Sequence, residues 1–155
     1  EFMLHTPSEH SHNGKHYDLE LQFVHQTMLS GKDKQENPSN IQYGIIAIFF
    51  SVEEYDQSIT QQGNLTIRNF FNNLRFDDYS EPLVNKIALG SLMDLVDTEH
   101  RWVYHGSLTT PPCTPNVYWN VLNNVFPIEY ETFELFKKYM QTQSGLEAYH
   151  NARPI

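Results

Sequence analysis

A chain of 155 residues with 39% apolar and 14% aromatic content can bury one hydrophobic core and fits one domain, here residues 1–155. Nineteen acidic residues against ten basic give a net charge of −9 with no Lys/Arg cluster, which argues against a nucleic-acid partner. The longest apolar run, Gly44 to Phe50, is far too short to cross a bilayer, so no membrane span is expected in this stretch.

The opening EFMLHT reads as a strand with Glu1, Met3 and His5 on one face and Phe2 and Leu4 on the other. A loop with an Asn13-Gly14 turn follows. From His16 to Thr27 the chain alternates again, placing Tyr17, Leu19, Leu21 and Phe23 on one side and Asp18, Glu20, Gln22 and Val24 on the other. This segment is expected to pair with the first strand. A polar linker, Ser30 to Asn40, precedes the apolar run Tyr43 to Val52, which reads as a central strand buried on both faces.

Asn64 to Asn73 and Ser91 to Leu95 read as short helices, and His100 to Tyr104 and Val117 to Val121 as two further strands. The compact turn HGSLTTPPC lies between those strands. Glu129 to Gln141 carries Tyr130, Phe133, Phe136 and Tyr139 at a spacing of three, which suits an amphipathic helix. The fold class is mainly β (α+β): a single domain on a large, mostly antiparallel, twisted central sheet with short peripheral helices.

Pairing the two early strands brings Met3 and His5 near Gln22, with Glu20 beside it. A catalytic zinc site wants three neutral imidazoles and an open position for water. Here one imidazole is joined by a thioether, a soft ligand suited to Cu(I), and an amide oxygen, a poor zinc ligand. Thr109 and Thr110 sit between a tight turn and a Pro-Pro step, where a hydroxyl can orient a small ligand or simply cap the turn. His10 and His12, two apart, and His16 offer an alternative metal set with His5. Cys113, the single cysteine, is either a small buried hydrophobe or half of a bridge to a cysteine outside this stretch. Asn64-Leu65-Thr66 fits the N-glycosylation acceptor pattern.

HTPSEH, NGKHYDLELQFVHQ, YHGSLTTPPC with Trp119, and the closing NARPI together resemble the α-class carbonic anhydrases, in order and approximate spacing, from Glu1 to Ile155. The resemblance implies the α-carbonic anhydrase fold with its N-terminal third absent, so that the chain would be a portion of a longer protein. It also implies that Met3, His5 and Gln22 stand at the three zinc-ligand positions, with only His5 retained. His25 matches a histidine that does not touch the metal. Glu20 matches the carboxylate that orients the third ligand, and Glu1 replaces a glutamine that orients the first.

Glu9 and Thr109 match the pair in which a buried carboxylate accepts the hydroxyl proton, here vestigial. Thr110, Leu108, Tyr104, Val24, Val117 and Trp119 match pocket-lining positions. The expectation is therefore a carbonic anhydrase-related pseudoenzyme with no zinc and no other cofactor, acting with other protein subunits. The alternatives are residual CO2 hydration at a displaced metal site, or a pocket that binds a small anion without catalysis. Cys113 matches a cysteine that pairs with an N-terminal partner in secreted relatives. With Asn64, this points to a secretory, extracellular or lumenal setting.

Overall fold

The computed structural model describes residues 1–28, 41–77 and 87–144. The linker Ser30 to Asn40 and the closing NARPI lie outside them. Two sheets are present among the described residues. The larger has five strands: β1 (Phe2–His5), β4 (Leu19–Gln26), β5 (Tyr43–Ser51), β7 (Pro115–Pro127) and β6 (Arg101–Ser107), side by side in that order. The smaller pairs β2 (Ser11–His12) with β3 (Lys15–His16) through a turn in which Asn13 and Gly14 both take positive φ, 54° and 76°. That conformation is the one an Asn-Gly hairpin turn requires.

All pairings in the larger sheet are antiparallel except β5 with β7, which run parallel at its centre. The sheet is thus mixed, as the sequence alone did not anticipate in detail. Met3 stands opposite Gln22 and His5 opposite Glu20, as expected from the alternation.

Period-two side chains divide the sheet into two buried faces. On one, Leu19, Leu21 and Phe23 of β4, Ile48 and Phe50 of β5, and Leu122 and Phe126 of β7 form a core. It is covered by the helices α1 (Gln61–Asn72), α2 (Leu89–Met93) and α3 (Tyr130–Ser144). Helix α1 starts where the Thr60 side chain accepts a hydrogen bond from the Gly63 N–H, an N-cap that satisfies one of the orphan donors of the first turn. Its buried residues, Gly63, Ile67, Phe70 and Phe71, fall on one face. Each of the three large side chains contributes roughly 1.5–3 kcal/mol on burial. The opposite face of the sheet carries Val24, Ile45, Ala47, Phe49, Val117, Trp119, Val121 and Val125, with Met3, Tyr104 and Leu108 packed against them. The candidate site lies there.

Strand β7 is longer than the Val117 to Val121 expected. Ala47 pairs with Val121 but Phe49 with Val125, so extra residues bulge out around Asn123 and Asn124 before the alternation resumes.

Candidate functional site

Four carbonyl- or carboxylate-bearing and imidazole side chains converge where β1, β4 and the turn after β1 meet. Glu9, Glu20 and Gln22 are essentially buried, at 2%, 0% and 0% exposure, and His5 is at 5%. The Gln22 NH2 group donates to Glu9 Oε2 and to Glu20 Oε1, each at 2.8 Å. A single amide thereby holds two carboxylates that would otherwise repel in a dry environment. His5 Nδ1 lies 3.6 Å from Glu9 Oε1, beyond an ordinary hydrogen bond. Neither ring nitrogen of His5 has a hydrogen-bond partner, and the same is true of Gln22 Oε1.

Glu20 is a hub. Its Oε2 accepts from the His10 backbone N–H, and His10 Nδ1 stands 2.8 Å from its Oε1. On the other side of the ring, His10 Nε2 is 2.7 Å from the Tyr104 hydroxyl. With a proton on Nδ1, the imidazole donates to Glu20 and accepts from the Tyr104 O–H. Burial pushes the Glu20 carboxyl up, but the bonds and charge from His10, with the Gln22 amide, outweigh it and hold the group below its ordinary value. Burial, reinforced by the Glu20 and Glu9 charges, pushes the Tyr104 phenol well above its ordinary value, so it stays a proton donor.

The Tyr104 ring stacks on Trp119 with an interplanar angle of 2°, and His10 packs edge-on to Trp119 at 4.9 Å. Gly106 makes that stack possible. A Cβ there would lie 2.8 Å from Tyr104 Cε2 and 3.2 Å from Trp119 Cδ1.

The structure brings Met3, His5, Glu9, Glu20 and Gln22 together and places Val24, Val117, Trp119, Tyr104 and Leu108 on the adjoining apolar face. Other expected positions fall differently. The Thr109 hydroxyl is buried but makes no hydrogen bond, so the bond from Thr109 to Glu9 is not formed. One Glu9 oxygen accepts from Gln22 instead. Thr110 is exposed. The Glu1 side chain is also exposed, while its main chain pairs with Val24. His25 is exposed, at a β4 position that alternates away from Gln22.

Cys113 is exposed, not a buried hydrophobe, because it occupies the turn after Pro111-Pro112 at φ 57°. His10 is the residue that sequence reasoning placed wrongly. Offered by its spacing as part of an alternative metal set, it is instead an internal bridge with only 11% of its side chain exposed. The signal was its position directly after the buried Glu9. His16 Nδ1 is spent on the Ser8 carbonyl, and His12 lies against Trp102. Among the described residues no three His, Cys, Asp or Glu side chains are grouped to hold a metal.

The donor set does not fit zinc. Of the three positions, one carries an imidazole, one a thioether and one an amide whose nitrogen is committed to two carboxylates.

Residues 3–155 match the family described as eukaryotic-type carbonic anhydrase. Carbonic anhydrase 4 of Rattus norvegicus is 29% identical over 155 residues, an alignment covering 96% of this chain and 47% of the rat protein. The α-carbonic anhydrase of Thermovibrio ammonificans, solved with the inhibitor sulfanilamide, superposes with a TM-score of 0.68 at 29% identity, over 99% of this chain and 56% of that one. Dioscorin, solved in complex with ascorbate, superposes with a TM-score of 0.62 at 25% identity, over 99% of this chain and 55% of that one. The chain spans about half or less of the length of the curated relatives it matches.

Proposed function

The chain belongs to the eukaryotic-type carbonic anhydrase family, and from that premise we propose that it is a carbonic anhydrase-like domain without hydratase activity, serving as a structural or protein-interaction subunit of a larger assembly. The observation that carries this reading is the Gln22 amide bonded to both Glu9 and Glu20. CO2 hydration in this family's chemistry needs a metal that brings the pKa of its bound water to about 7. At the ligand positions this chain offers His5 with Met3 and Gln22, a set too poor in imidazole to hold zinc tightly. The Glu9 carboxylate that would orient a metal-bound hydroxide through Thr109 is engaged by Gln22 instead. The relatives named above include carbonic anhydrases; what supports the loss in this chain is the set of side chains at these positions.

A displaced metal site gains no support, because His10 and His16 already have internal partners. Nor is a small anion favoured, since the buried Glu9 and Glu20 carboxylates wall the pocket with negative charge. A secretory setting is supported by the exposure of both Asn64, near the start of α1, and Cys113.

Metal analysis of the purified protein alongside a CO2 hydration assay tests the reading. No stoichiometric zinc and no turnover are expected; one zinc per chain with measurable hydration would overturn it. The paired change Met3→His and Gln22→His should restore zinc binding, because Glu20 and His5 remain in place. A folded double variant that takes up no zinc would show that the pocket has drifted beyond repair. Isolation from the native source should yield a larger complex, and a monodisperse monomer would count against the subunit role.

A further inference from the structure

We infer that the same pocket takes a soft monovalent cation, Cu(I), bound by the Met3 thioether and the His5 imidazole with the Gln22 carbonyl oxygen beside them. The inference rests on the reading that this is no longer a zinc site. Met3 and His5 are two apart on β1, hence on one face of the strand, with their Cα atoms about 7 Å apart. Their long side chains can reach one ion between them. Gln22 faces Met3 across the strand pair.

Two observations point to a ligand. His5 is 5% exposed, and both of its ring nitrogens lack a hydrogen-bond partner. A buried imidazole left so is costly, and such groups call for an explanation. Gln22 is fully buried, and its NH2 faces the two carboxylates, so its carbonyl oxygen points away from them and also lacks a partner.

The chemistry of the donors selects among ions. The thioether sulfur is soft and the imidazole nitrogen borderline, a neutral pair that suits Cu(I). The single carbonyl oxygen is a hard donor and by itself too little for magnesium or calcium, which want about six or more oxygens. Charge agrees, because Glu9 and Glu20 are buried beside the donors and favour a cation. Met3 packs against the apolar face with Val24 and Trp119. That surrounding favours an ion that sheds its water readily over one that keeps it.

The test is an anaerobic titration of the protein with Cu(I) against a chromophoric Cu(I) chelator. X-ray absorption on the loaded protein and a parallel zinc titration with a hydration assay complete it. One Cu(I) per chain is expected, with sulfur in its coordination shell. Affinity should fall at least ~10-fold in Met3→Leu and in His5→Gln and hold in Met28→Leu and His12→Ala. Met3→Leu nearly conserves volume, so it keeps the fold, which circular dichroism checks. A shell without sulfur, an affinity untouched by Met3→Leu, or copper lost in His12→Ala would each overturn the inference. Binding of neither metal refutes the copper site alone, whereas stoichiometric zinc with turnover refutes the functional reading on which it rests.

Discussion

Replacing Gln22 by Leu removes the amide between Glu9 and Glu20 while nearly keeping the side-chain volume. Two hydrogen bonds to carboxylates are lost, both at 2.8 Å and both in a fully buried setting. Bonds to charged groups contribute roughly 1.5–3 kcal/mol each, so the gross loss is about 3–6 kcal/mol. Burying leucine in place of an amide returns part of it, roughly 1.5–2 kcal/mol. The net expectation is about 1–4.5 kcal/mol, a sizeable part of the ~5–15 kcal/mol that holds a typical domain together.

Urea unfolding at pH 7, followed by the fluorescence of the buried Trp119, should show the midpoint falling by about 0.5–2 M at a slope of about 2 kcal/mol/M, usual for small domains. The pH dependence adds a second check. Glu20 is held below its ordinary value of 4.5 in the folded chain. Its contribution is therefore present above that value and is lost as pH falls through the depressed one. The gap between wild type and Gln22→Leu should be widest near neutrality and narrow in acid. A midpoint shift under about 0.3 M at pH 7, or a gap that widens in acid, would refute the reasoning.

Two further outcomes are expected. Gly106→Ala should destabilise the chain by about 1–3 kcal/mol, because its Cβ would press into Tyr104 and Trp119; calorimetry, with near-ultraviolet circular dichroism of the stacked pair, reads it. At the surface, Asp97 raises the His100 pKa through a hydrogen bond and its charge. Asp97→Asn should bring the His100 titration back down, as followed by the NMR shifts of the imidazole protons.

The elements that sequence made legible are those whose alternation is unbroken. Tyr43 to Val52 could be read as a central strand because its apolar run is continuous, and β5 does sit in the middle of the sheet. Strand β7 could be followed only to Val121, since the bulge at Asn123 and Asn124 resets the period before Val125 and Phe126. The pairing of Met3 with Gln22 followed from alternation on two neighbouring strands. The two-handed bond of Gln22 did not, because Glu9 reaches it from a loop whose path no local pattern encodes. For the same reason His10 could be read only as a member of an alternative metal set. Its partner Tyr104 is 94 positions away in the chain, and only the assembled sheet brings the two together.

The parallel pairing of β5 with β7 has a kinetic side. β1 with β4 and β6 with β7 are antiparallel pairs between nearby segments, whereas β5 meets β7 only after residues 52–114 have been looped out between them. Closing that loop costs chain entropy before any contact across it can repay the cost, and folds rich in such distant pairings form slowly. His5 and Gln22 belong to the first local pair, and Tyr104 and Trp119 to the second. The bridge from Glu20 through His10 to Tyr104 therefore cannot close until the two halves have docked, so the pocket reports the completion of folding rather than its beginning.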